Sequence, residues 1–243
     1  MIGPLLNAAG IVIGGCVGLI RRKPLAAATE SYFRVILGAF TVFYGLRLTW
    51  ISLGGSWAQI LKQLGLVIVS MMIGKLIGRA VRLQRMSNRL GQQARERINN
   101  ATRGDPDRLN QGFRTCAALF CVAPLGILGS IQEGLSFYFY PLAIKAVIDG
   151  LATLGFISLF GPAVLLSAIP VLAVQGTLTL VVARILEPIL AVQGLVDPIN
   201  AVGGLLVFCV ALVMLNLKRI ELADYLPALV VAPLLCLWCH WRA

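Results

Sequence analysis

The sequence predicts an all-α fold: a polytopic bundle of seven or eight transmembrane helices with a basic linker helix between the third and fourth. Three observations predict it. The chain is 58% hydrophobic and 13% charged, with a mean hydropathy of +0.87, whereas an ordinary soluble domain is about 25% charged. Apolar runs close to the roughly 20 residues that cross a bilayer recur along almost the whole chain. Those runs also lack the polar stripe that a soluble helix turns to water. The 243 residues read as one integral membrane domain, 1–243, with the basic linker at 79–111 inside it.

The first span covers about 2–20 and holds Asn7 and a glycine stripe, Gly10, Gly14 and Gly18. Spacing of four puts these glycines on one face, where another helix backbone can approach closely. The run carries no basic leader and no small-residue cleavage site, so it reads as a retained helix rather than a signal peptide. Span two covers about 32–51, with Trp50 and Trp57 as interface anchors. Span three covers about 60–78 and repeats the glycine spacing at Gly74 and Gly78.

Lys75, Arg79, Arg82, Arg85 and Arg89 then fall within about a third of a helical turn at 100° per residue. Leu83, Met86 and Leu90 lie beside them. The pattern predicts a basic helix that leaves the membrane and places Arg79, Arg82, Arg85 and Arg89 on anionic lipid headgroups. A solvated linker is the alternative for 96–110, where Asn, Gly, Asp and Pro accumulate. Asn100-Ala101-Thr102 matches a glycosylation sequon there, by chance in a linker of this kind.

Span four covers about 112–131 and is interrupted by Pro124 and Gly126. Span five covers about 137–160, and span six about 162–183. The stretch 184–196 reads as amphipathic and interfacial or re-entrant. Span seven covers about 198–217, and span eight about 225–237, closed by Trp238, His240 and Trp241.

The basic residues test this order. Sixteen Lys and Arg fall on the side of the long linker and four on the other, with Lys145 inside the membrane. That places both termini outside the cytoplasm of a bacterial inner (plasma) membrane. The net charge of +11 is therefore topological and lipid-directed, and no nucleic-acid partner is expected. Pro4-Leu5-Leu6-Asn7-Ala8 and Pro198-Ile199-Asn200-Ala201 open spans one and seven alike, a faint echo of a parallel repeat.

The residues that carry chemistry cluster at 129–150. Lys145 and Asp149, four apart, share a helix face. Tyr138 and Tyr140 would sit in an aromatic belt, with the ammonium roughly 7 Å and the carboxylate roughly 13 Å deeper. Such charges cost several kcal/mol in a bilayer unless paired, hydrated or turned to a cavity. Two readings follow: a solute or proton site, or an internal ion pair that fixes packing. Glu133, in Gly129-Ser130-Ile131-Gln132-Glu133-Gly134, is either part of a chain break facing a cavity or a polar surface turn. Gln175, Asn7, Asn200 and Asn216 are uncharged polar residues inside spans, able to bond a neighbouring helix or line a pathway.

Enzyme signatures are missing. His240 is the single histidine, no HExxH, GxSxG or P-loop occurs, and only Asp149 is a deep carboxylate. No metal and no cofactor are expected. Cys236-x-x-Cys239 with His240 has haem-attachment spacing, but at the end of an apolar helix the six cysteines read as buried small hydrophobes.

Leu119-Phe120-Cys121-Val122, Gly129-Ser130-Ile131-Gln132-Glu133-Gly134-Leu135, then Lys145 and Asp149-Gly150, resemble the signature of the YqgA-like family of bacterial inner-membrane proteins. Ala168-Ile169-Pro170-Val171, Gln175-Gly176 and Leu226-Pro227-Ala228 look similar to it too, as does Asn7 with its glycines. The resemblance covers essentially the full length. It departs at Ser136-Phe137, where the family tends to Gly-Asp, and at Ala123-Pro124, where it tends to Gly-Ala. It implies a membrane protein and supports the choice of Glu133, Lys145, Asp149 and Gln175, without implying a substrate, because the family's function is unknown.

The expected function is a transporter or channel for a small solute or ion. Its binding residues or pathway would be Lys145, Asp149, Glu133, Gln132, Ser130, Gln175, Asn7 and Asn200. The alternative is a non-transporting scaffold or signalling protein that acts through its basic linker. Its glycine stripes on spans one and three would assemble it as a homo-oligomer.

Overall fold

The apolar runs fold as helices throughout the residues that the computed structural model describes: 1–21, 25–99 and 107–239. In chain order these are α1 (Ile2–Arg21), α2 (Ala27–Ile51), α3 (Trp57–Val81), α4 (Leu83–Asn99), α5 (Arg108–Val122) and α6 (Pro124–Ser136). They continue as α7 (Tyr140–Phe160), α8 (Ala168–Val181), α9 (Glu187–Val192), α10 (Val196–Met214), α11 (Leu222–Tyr225) and α12 (Ala228–Cys239). A 3₁₀ turn, Pro162–Ser167, leads into α8, and a π turn, Val182–Leu186, joins α8 to α9.

Local chemistry sets several boundaries. Ser56 and Gln59 form a reciprocal capping box that starts α3, which satisfies backbone donors the helix itself cannot. Pro124 opens α6, because its missing N–H removes a helical bond and ends α5 before it. Gly161, at φ +85°, stops α7 in a conformation that side chains resist.

Among the described residues six helices, counting Pro162–Val192 as one, are long and apolar enough to cross a membrane. Taking α5 and α6 as one bent span gives seven. The expected eighth span is the shorter apolar stretch Leu222–Trp238, divided between α11 and α12 and containing Pro233. Large apolar side chains such as Ile13, Phe43, Met72 and Val230 point outward, the inverse of a water-soluble fold and suited to lipid.

The bundle is organised by two central helices. α7 touches α1, α2, α5 and α6, while α10 touches α2, α3, α6 and α12. One apolar cluster gathers Ile11, Phe120, Ile157, Phe160 and Val171 around α7. The other gathers Val67, Leu128, Val202, Leu206 and Leu229 around α10. α6 stands between them and contributes to both helix contacts.

The closest approach is between α1 and α7, which run parallel. A Cβ at Gly14 would lie 2.0 Å from the Gly150 carbonyl oxygen, and one at Gly10 2.4 Å from that of Ala146. Only backbone-to-backbone contact allows this spacing, which explains the stripe of the first span. Gly74 and Gly78 likewise face Ala228 and Asp224. Both stripes are therefore used within one chain rather than left as surfaces for assembly.

Four expectations are corrected here. The basic helix is not continuous: Arg82 is left-handed, at φ 62°, so Lys75 and Arg79 lie on α3 while Arg85 and Arg89 lie on α4. The stretch 184–196 is not a separate interfacial helix, because Pro162–Val192 forms one apolar run of 31 residues. Asn216 lies beyond α10 in a left-handed conformation that ends the helix, a position Asn tolerates well. Tyr138 and Tyr140 do not form a lipid-facing belt. Tyr140 stacks on Tyr44 at 4.1 Å, and buried Tyr138 donates to the Tyr44 carbonyl at 2.7 Å.

The sequon at Asn100-Ala101-Thr102 and the C-terminal His240 and Trp241 lie outside the described residues. The echo between the openings of α1 and α10 has no common packing. α1 runs parallel to α7, whereas Gly45 against Phe208 and Thr49 against Ala201 make α2 antiparallel to α10.

Candidate functional site

Periodicity alone brings Lys145 and Asp149 together, and the fold then removes them from water. Their residues are 2% and 5% exposed. The Lys145 ammonium binds the Asp149 carboxylate directly and lies 5.7 Å from the centroid of the Phe120 ring, within reach of a cation–π attraction. The Asp149 backbone carbonyl also accepts from Thr153 Oγ1 at 2.7 Å.

This pair sits where a helix is interrupted. α5 and α6 meet at Ala123 with a bend of 52°. Phe120, just before the break, faces the ammonium, and Gly126, just after it, faces the lysine stem: a Cβ there would come within 2.9 Å of Lys145 Cε and of Gln175 Nε2. Bulk at position 126 would thus displace the lysine. The break was expected from Pro124, and its position beside Lys145 is the new fact.

Asn7 and Gln175 complete this wall. Asn7 Nδ2 donates to Gln175 Oε1 at 3.0 Å and joins α1 to α8. Among the described residues Asn7 Oδ1 and Gln175 Nε2 have no partner, although both residues are at most 1% exposed. Unpaired buried polar atoms each cost about 1–3 kcal/mol, so an acceptor and a donor stand free beside the charged pair.

A second uncharged group lies across α6. Both amide atoms of Gln132 and the Oδ1 of Asn200 are buried without partners among the described residues. Gln132 rests on α10, its Nε2 only 2.6 Å from where a Gly203 Cβ would be, and Asn200 is one turn earlier on that face. Ser130, between the groups, spends its hydroxyl on the Gly126 carbonyl at 2.8 Å.

Glu133 does something the sequence did not signal. It lies in the continuous last turns of α6, 3% exposed, and is neither a chain break nor a surface turn. Both carboxylate oxygens accept from the Gly3 amide at 3.1 Å, and the Met1 nitrogen lies 3.1 Å from Oε1. Glu133 thereby caps α1 from another helix, where a carboxylate complements the helix dipole. Asp224 repeats the device at the other end, accepting from the Gln84 amide at 2.8 Å while Gln84 Oε1 accepts from Ala223. Distant capping has no sequence period, so only the fold reveals it.

Four clefts among the described residues open on the surface elsewhere. One of about 630 Å³ runs between α2 and α7, with Glu30 and Arg34 above Phe33, Ile148 and Phe156. Others involve Gln93 and Arg114, Ser52 and Asp197, and Lys75 and Lys218. None of these is lined by Lys145 or Asp149.

These features define a multi-pass helical membrane protein with a buried Lys–Asp pair at a broken helix. Residues 2–237 match the family described as "Protein of unknown function (DUF554)", and the chain belongs to it. It is 28% identical to "Uncharacterized protein YqgA" of Escherichia coli (strain K12), over 100% of both chains. It is 26% identical to "Uncharacterized membrane protein YdfK" of Bacillus subtilis (strain 168), over 99% of this chain and 97% of that one. No solved structure matches it. The YqgA-like character and the helical membrane fold read from the sequence are thus both met.

Proposed function

We propose that this protein is a transporter, or a channel, for a small solute or ion, with its site at the α5–α6 break. The observation that carries the proposal is the meeting of Lys145, Asp149, Asn7 and Gln175 at an interrupted span. Interrupted helices expose polar backbone ends, and secondary transporters commonly build their sites there. Intramembrane ions are retained at a cost of several kcal/mol, which favours a use for them.

Lys145 holds an anionic group of the solute, and Asp149 releases the lysine to it and exchanges a proton. The free Asn7 and Gln175 atoms supply an acceptor and a donor. Gln132 and Asn200 extend the polar path across α6, and Glu133 anchors α1 so that the helix can move as one piece. The closed state of the pair corresponds to an occluded conformation. The protein lies in a bacterial inner membrane with both termini outside, a topology that the distribution of basic residues supports, and performs no covalent chemistry.

The scaffold reading loses support from the glycines, which are occupied by partners within the chain. Any homo-oligomer would have to use another surface.

The test is electrogenic or proton-coupled flux in proteoliposomes, recorded with a panel of small inorganic and carboxylate anions. Wild type should respond to at least one, and Lys145→Ala or Asp149→Ala should abolish the response in folded, inserted protein. Absence of any response, or undiminished flux in both variants, would overturn the proposal.

A further inference from the structure

A separate cleft of about 480 Å³ opens where α3, the start of α4 and the α10–α11 connection converge. Lys75, Lys218 and Arg219 line it, opposed by one carboxylate, Glu221. Among the described residues no carboxylate lies within 4 Å of any of these three cations. Lys75 is half-buried, its ammonium 5.1 Å from the Tyr225 ring centroid, which orients the charge without neutralising it.

The cleft is also built rather than incidental. The reciprocal Gln84–Asp224 and Gln84–Ala223 bonds lock α4 to α11. Gln84 Nε2 donates to Asn88 Oδ1 at 2.9 Å, which commits the oxygen of the Asn88 amide and leaves donation to its nitrogen. Three cations against Glu221, with the buried Asp224 carboxylate spent on the Gln84 amide, leave a net positive cleft that suits a phosphate group, and lysine ammoniums with an amide supply the donors that its oxygens need.

We propose that this cleft binds a phosphate group at the basic end of the bundle, independently of the Lys145 site. The phosphate is carried either by an anionic phospholipid headgroup or by a soluble phosphate. The arginines Arg85 and Arg89 of α4 do not line the cleft.

The experiment uses the full chain in phospholipid-free detergent with two probes, phosphatidylglycerol followed by native mass spectrometry and inorganic phosphate followed by calorimetry. Lys75→Gln and the double variant Lys218→Ala/Arg219→Ala are compared with Arg184→Ala, an exposed cation that does not line the cleft. Loss of about fivefold in affinity per cleft cation, following the usual weight of a basic residue near an anionic surface, is expected, with the control close to wild type. Retention of the lipid alone assigns the headgroup, and retention of inorganic phosphate assigns a soluble source. Binding of neither probe, or equal loss in the control, would overturn the proposal. The cleft cations other than Lys75 are exposed, so the double variant tests the site without disturbing the core.

Discussion

Lys145 and Asp149 should be strongly coupled in stability, and the chain supplies its own control. Glu30 and Arg34 have the same spacing of four on α2, at 3.3 Å, but their side chains are 60% and 45% exposed. Removing Glu30 should cost less than about 0.5 kcal/mol, as for exposed helical pairs. Lys145→Met or Asp149→Leu alone would leave one buried ion without its charged partner. Such isolation costs about 3–5 kcal/mol, less if the remaining group becomes neutral. The double variant Lys145→Met/Asp149→Leu removes both charges and should return to within about 1 kcal/mol of wild type, or exceed it. Thermal unfolding in detergent, with the folded fraction from size-exclusion chromatography, gives all four corners of the cycle. A double variant as unstable as the worse single, or a Lys145→Met variant no weaker than Glu30→Gln, would refute the coupling. Under the proposed function the rescued double variant should still lack flux, which separates packing from transport.

Two further outcomes follow from backbone geometry. Gly14→Ala would press a methyl against the Gly150 carbonyl, 2.0 Å away. α1 must then shift off α7, lowering stability by about 1–3 kcal/mol, whereas Gly65→Ala, with nothing within 4 Å, should be neutral or mildly stabilising; thermal midpoints compare the two. Arg82→Gly should stabilise by about 1 kcal/mol, because Arg82 is exposed and holds a left-handed φ of 62° that costs an L-residue about 1–2 kcal/mol. An unchanged or lower midpoint would refute that account.

The sequence by itself determined the properties that depend on neighbours along the chain. Hydropathy over some 20 residues located α1, α2, α3, α7 and α10, since a span is a local length of apolar side chains. A spacing of four placed Lys145 against Asp149, since helical adjacency is local too. Pro124 announced the interruption between α5 and α6 for the same reason. Tertiary structure decided what depends on distant partners. Glycine spacing showed that α1 had a close contact but not that α7 supplies it. No period links Glu133 to Gly3 or Asn7 to Gln175, because those bonds exist only once separate helices have docked. The division of the basic helix at Arg82 was equally hidden: arginine carries no turn signal, and the corner is held by Asp224 and Gln84, which meet only in the folded chain.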